Sequence, residues 1–118
     1  MDDDEMVQNV ARAMLTQLGN EVVLAKDGTE AINLYTEAMN SDDPIQIIIM
    51  DLTIPGGMGG KEAVIEVHKV NPGAKVIVSS GYSNDPIMAN FREHGFCAAL
   101  VKPFQLQELS RVLSQVLG

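Results

Sequence analysis

The chain has 118 residues, 46% of them hydrophobic and 20% charged, with a formal net charge of −8 and one cysteine. That length supports one domain, spanning residues 1–118, and not two. The acidic balance disfavours direct binding to nucleic acid or to an anionic membrane surface. A single cysteine excludes an internal disulfide and points to a reducing, cytoplasmic compartment, and no apolar run approaches the ~20 residues of a membrane span.

The chain opens on the acidic cluster Met1-Asp2-Asp3-Asp4-Glu5. Val7, Val10, Ala11, Met14, Leu15 and Leu18 then recur at helical spacing, which predicts an amphipathic helix stopped by Gly19. One carboxylate suffices to cap that helix, whereas four in a row repel one another. Residues 21–25 read as a short strand, Asp27-Gly28 as a turn and residues 29–39 as a helix. Residues 45–51, Ile-Gln-Ile-Ile-Ile-Met-Asp, form a β-branched apolar run. This is the pattern of a strand buried on both faces of a parallel sheet. A Gly/Pro loop follows, then a helix over 61–70 and the turn Asn71-Pro72-Gly73. A buried strand over 75–79 leads to a helix over 85–94, with Pro86 suited to its first turn. A strand over 96–101 and a helix over 105–117 complete the chain. Cys97 reads as a small buried residue. His68 and His94 read as solvated helix residues.

Alternating strands and helices of this length predict an α/β fold, a parallel sheet with helices on both faces. A doubly wound domain normally opens on a strand, and this one opens on a helix. In the sheet order 2-1-3-4-5 the first strand is central. Its loss would leave backbone groups unpaired in the core, at roughly 1–3 kcal/mol each. The expectation is therefore that the natural polypeptide has residues before Met1.

Parallel strands all point their C-terminal ends the same way. Asp2, Asp3, Asp51, Ser80 and Lys102 each fall where an apolar run stops. Alone, each has an ordinary explanation: a cap, a turn residue, a solvated lysine. Together they make a set. Clustered carboxylates suit a hard cation such as Mg²⁺, an ionised Asp51 can attack phosphorus, and Lys102 and Ser80 can meet phosphoryl oxygens.

These residues and spacings resemble the receiver domain of response regulators in two-component signalling, over nearly the whole chain apart from the first strand. Asp2-Asp3 resembles the family's acidic pair, with Asp3-Asp4 as the alternative register. Asp51 with Pro55 resembles its phosphoacceptor strand and loop, Ser80 its Ser/Thr switch residue, and Lys102-Pro103-Phe104 its Lys-Pro motif. The resemblance implies the flavodoxin-like (βα)₅ fold, in order 2-1-3-4-5 with the first strand largely missing. It also implies Mg²⁺-dependent phosphoryl transfer to Asp51 from a histidine kinase or histidine phosphotransfer domain. Asp3 and Asp51 would hold the metal directly, Asp2 through water, and the Thr53 carbonyl would complete the site. Asp51, Lys102 and Ser80 would carry the chemistry, Asp4 would cap the first helix, and the Lys102–Pro103 peptide would be cis. Such a domain catalyses its own phosphorylation and dephosphorylation and does not turn over a separate substrate. The Gly19 and Ser79-Ser80-Gly81-Tyr82-Ser83 stretches resemble receivers of hybrid histidine kinases; a stand-alone relay protein is the other form.

Three departures stand out. The family's aromatic switch position is Ala99, so no inward-rotating ring can carry the output. The loop Pro55-Gly56-Gly57-Met58-Gly59-Gly60 is one residue longer than usual, with Gly59 at a commonly acidic position; its glycines read as flexibility. Tyr82 lies two residues after Ser80 and is expected to shield the acyl phosphate from water. The rivals are a degenerate receiver serving only as an interaction module, and a flavin-binding flavodoxin-like protein. The second would need a phosphate loop where this chain has carboxylates. Apolar residues Ile87, Met88 and Phe91 are assigned to core packing ahead of a partner face.

Overall fold

The computed structural model describes residues 1–82 and 84–117; Ser83, in one of the stretches compared with hybrid-kinase receivers, lies outside them. Three strands, β1 (Ile47–Asp51), β2 (Lys75–Ser80) and β3 (Ala98–Val101), run parallel in the order β1-β2-β3. The register sets Ile48 beside Val76, Asp51 beside Ser79 and Ser80 beside Val101. Met50, Val76, Ile77, Val78 and Leu100 are fully buried, as continuous β-branched and aliphatic runs require when helices cover both faces.

The helices are α1 (Glu5–Gln17), α2 (Gly28–Met39), α3 (Gly60–Val70), α4 (Pro86–Ala89) and α5 (Leu106–Leu117). On one face Ala31 and Tyr35 of α2 and Ala63, Val64 and Val67 of α3 pack with Met50, Val76 and Val78. On the other, Leu109, Val112 and Leu113 of α5 pack with Ile77 and Leu100. Asp4 caps α1, its side chain accepting from the Met6 and Val7 amides, and Asp27 caps α2 by accepting from Glu30. The Lys102–Pro103 peptide is cis. Ile87 and Phe91 pack against the core and Met88 is buried within it, so core packing is their use.

Several expectations need correction. Residues 21–25 are not a strand. Among the described residues, their one backbone hydrogen bond comes from Asp2. The Met1 amine donates to the Ile49 carbonyl at 2.6 Å, the Asp51 amide donates to the Met1 carbonyl at 3.0 Å, and the Asp2 amide donates to the Ala25 carbonyl at 3.0 Å. Two residues thus hold the central place in the expected order, too few to pair residues 21–25 along their length. Upstream of them a cavity of about 690 Å³ separates residues 21–25 from β1. For the same reason the apolar stripe of α1 is only half met: no residue of α1 is fully buried, and Val10 is 51% exposed.

The helix expected over 85–94 is a four-residue helix, α4, and a separate 3₁₀ turn, Phe91–His94. Asn90 (φ −117°, ψ 39°) leaves the helical region between them, and Gly95 (φ 95°) closes the turn in the left-handed region. His94 is exposed, but His68 is not simply solvated: its Nε2 lies 3.2 Å from the Ala74 carbonyl. Cys97 is half-buried, its thiol directed at the Val76 carbonyl. Gly59 and Gly60 are there for close approach more than for flexibility, while Gly56 takes a left-handed turn (φ 73°). A Cβ on Gly59 would run into the Leu52 carbonyl, and one on Gly60 would meet the Asp51 carbonyl at 2.9 Å.

Candidate functional site

Each chemistry-bearing residue stands at the end of an extended run because the strands run parallel. Asp51 ends β1, Ser80 ends β2, Lys102 follows β3 directly, and Asp2-Asp3 follow the short stretch pinned between Ala25 and Ile49. Asp2, Asp3 and Asp51 offer carboxylate oxygens within 4.8 Å of one another. The Lys102 ammonium donates to Asp2 Oδ2 at 2.8 Å and lies 3.1 Å from Asp51 Oδ2. Asp51 and Asp2 are buried, at 8% and 7% exposure, while Asp3 is open to solvent. Ser80 is buried; its Oγ accepts from the Tyr82 amide at 3.0 Å, and its carbonyl accepts from the Lys102 amide at 2.7 Å. Thr53 sits at the exposed mouth, and its backbone hydrogen-bonds to Asp51. All the predicted residues therefore meet at one end of the sheet, with Asp2, Asp3, Asp51 and Lys102 at its centre.

Burial pushes the Asp51 carboxyl above its usual range; the Lys102 hydrogen bond and charge pull it back, Asp2 adds to the rise, and the Thr53 backbone opposes it. Lys102 loses stability as a cation through burial, yet its hydrogen bonds to Asp2 and Asp51 outweigh that loss and hold its pKa above the ordinary value. Lysine is therefore the fixed positive charge of the site and Asp51 its strained carboxylate. Three hard oxygen donors, two of them buried beside one ammonium, form a donor set suited to a small divalent cation such as Mg²⁺.

One contributor escapes sequence reasoning. Gln8 Nε2 donates to the Asp2 carbonyl at 2.6 Å and to the Ala25 carbonyl at 2.7 Å, clamping the acidic pair to the neighbouring segment. A glutamine one turn into an amphipathic helix looks like any polar residue, so its spacing carried no signal.

A family model described as "Response regulator receiver domain" matches residues 1–114. The chain is 32% identical over 117 residues to the chemotaxis protein CheY of Thermotoga maritima, covering 98% of this chain and 92% of that protein. It is 28% identical over 117 residues to the sensor kinase CckA of Brucella abortus, covering 99% of this chain but 12% of the kinase. Among solved structures it is similar to the receiver domain of the sensor histidine kinase PA1611 of Pseudomonas aeruginosa, described with a magnesium ion coordinated in its active-site cleft. That match has a TM-score of 0.85 and 27% identity, covering 100% of this chain and 93% of that one.

Proposed function

The chain belongs to the response regulator receiver family of two-component signalling, and from that premise we propose that residues 1–118 are one phosphoacceptor receiver. Asp51 takes a phosphoryl group from a histidine of a partner kinase or phosphotransfer domain. One observation carries this reading: a buried carboxylate, a second buried carboxylate and an exposed third converge within 4.8 Å, with one lysine bridging the buried pair at 2.8 and 3.1 Å.

The reaction divides simply. An Asp51 oxygen forms a bond to phosphorus as the bond from phosphorus to the histidine nitrogen breaks, and that nitrogen keeps the electron pair. Asp2, Asp3, Asp51 and the Thr53 carbonyl would hold Mg²⁺, which neutralises phosphoryl oxygens. Lys102 remains charged throughout, because its pKa is held up, and shifts from Asp51 toward a phosphoryl oxygen. Ser80 turns its hydroxyl from the Tyr82 amide to donate to another. The change of partner at Ser80 loosens residues 81–82, and the loops after β1 and β2 follow. Ala99, half-buried against the core, leaves no aromatic ring to rotate.

The chain, mixed with a histidine-phosphorylated phosphotransfer domain and Mg²⁺, is expected to take up the phosphoryl group within the assay and to stop doing so when the metal is chelated. Label that stays on the histidine with metal present would sink the proposal and leave the interaction-module reading. Tyr82 is 73% exposed, free to lie over the acceptor. Tyr82→Ala is expected to dephosphorylate about threefold or more faster, followed by loss of label from purified phosphoprotein; an unchanged or slower rate would remove the shielding role.

A further inference from the structure

The two members of the acidic pair are held differently. Asp2 is committed on every side: its amide donates to the Ala25 carbonyl at 3.0 Å, its Oδ1 accepts from the Asp4 amide at 3.0 Å, and its Oδ2 accepts from Lys102 at 2.8 Å. Asp3 is exposed, and among the described residues its carboxylate has no hydrogen-bond or ion-pair partner. Its direction therefore comes from the backbone that carries it. The peptide joining Asp2 to Asp3 is planar, so whatever holds the Asp2 carbonyl also sets where the Asp3 side chain starts.

Gln8 holds that carbonyl. Its backbone N–H donates to the Asp4 carbonyl at 3.0 Å, locking it into the first turn of α1, and Asp4 caps that turn through the Met6 and Val7 amides. Helical side chains lean toward the helix N-terminus, so a long one at this position folds back over the cap. The Gln8 carboxamide nitrogen carries two hydrogens. One goes to the Asp2 carbonyl at 2.6 Å and the other to the Ala25 carbonyl at 2.7 Å. Both partners only accept, which fixes the orientation of the carboxamide: its oxygen in the same place would face two oxygens.

We propose that Gln8 is a positioning residue of the metal site. On the Mg²⁺ reading proposed above, on which this role rests, it aims the Asp3 carboxylate at the ion by holding the Asp2–Asp3 peptide. The Asp2 carboxylate, with Asp4 and Lys102 as its own partners, does not depend on it. A ligand whose backbone is free to turn must be ordered when the ion binds, and affinity falls by that entropy. Gln8 removes the freedom in advance, and it touches neither the ion nor the phosphoryl group.

A double-mutant cycle on Mg²⁺ affinity, measured by calorimetry on the unphosphorylated protein, tests this. Gln8→Met keeps the length of the side chain and removes its donors. It is expected to weaken Mg²⁺ binding about tenfold and to leave the helix content of the metal-free protein unchanged. Gln8→Asn keeps the amide but ends one methylene short, and is expected to bind Mg²⁺ as weakly as Gln8→Met. On an Asp3→Asn background the Gln8→Met change is expected to cost about twofold or less, because the ligand it positions is already gone. Wild-type affinity in Gln8→Met would overturn the positioning role. So would the same loss on both backgrounds, the mark of a general loosening. An Asp3→Asn protein that binds Mg²⁺ as tightly as wild type would overturn the metal reading itself, and the role of Gln8 with it.

Discussion

Lys102→Met is expected to slow phosphoryl transfer to Asp51 by roughly 10²–10³-fold, the usual cost of deleting one preorganised group that stabilises developing charge. Metal binding should not fall with it. Lys102 is the positive group bridging Asp2 and Asp51; without it the carboxylates gain negative potential and hold a divalent cation as tightly or more so. That split separates a catalytic lysine from one that only tethers the acidic pair. Transfer rate and Mg²⁺ affinity, measured on the same variant, decide between them: a near wild-type rate, or a parallel loss of metal affinity, would contradict the role assigned here. Lys102→Arg should recover little, because a planar fork does not replace a compact point charge reaching two carboxylates. The lysine also has a stability signature. Its folded pKa is raised above 10.5, so its contribution is fully present below that pH and is lost as pH rises through the folded value.

The second large effect concerns Asp51 and the metal together. In metal-free protein Asp51→Asn is expected to stabilise the fold at neutral pH and to raise its melting temperature. The carboxyl pKa is raised, first by burial, so the folded state binds this proton more readily than the unfolded one. The group's contribution is best below the unfolded value of 3.8 and is lost as pH rises through the folded pKa; asparagine removes that loss. Mg²⁺ reverses the order. At a hundredfold excess over its dissociation constant a bound ion adds about 2.7 kcal/mol, and the wild type should gain more of it than the variant. Melting curves of both proteins with Mg²⁺ and with a chelator test this; an Asp51→Asn protein less stable than wild type without metal would contradict the strained carboxylate.

The site was more legible than its scaffold, and for a physical reason. Strand ends in a parallel sheet converge, so Asp2, Asp51, Ser80 and Lys102 needed only the ends of apolar runs to be located, and the Asp4 cap needed only the start of a helical stripe. Residues 21–25 defeated the same reading because a strand is defined by its partner, and among the described residues their one backbone hydrogen bond is Asp2 to Ala25. The stripe of α1 has helical spacing whether or not anything packs beneath it. Asn90 splits the helix expected over 85–94 through a backbone choice that periodicity does not register. The glycines at 59 and 60 were read as flexible when the Leu52 and Asp51 carbonyls press on them, a contact between segments brought together only by the fold. Gln8 is in the same class: its two carbonyl partners, 6 and 17 residues away, have no signature in its neighbours.

A receiver's Asp51 should accept phosphorus even when no partner is present to help. Intact protein is incubated with acetyl phosphate and Mg²⁺, then mapped by mass spectrometry. The expected product is one acid-stable, base-labile phosphoryl adduct on Asp51, absent without the metal and absent from Asp51→Asn. No adduct on the intact chain, or an equal one on Asp51→Asn, would contradict it.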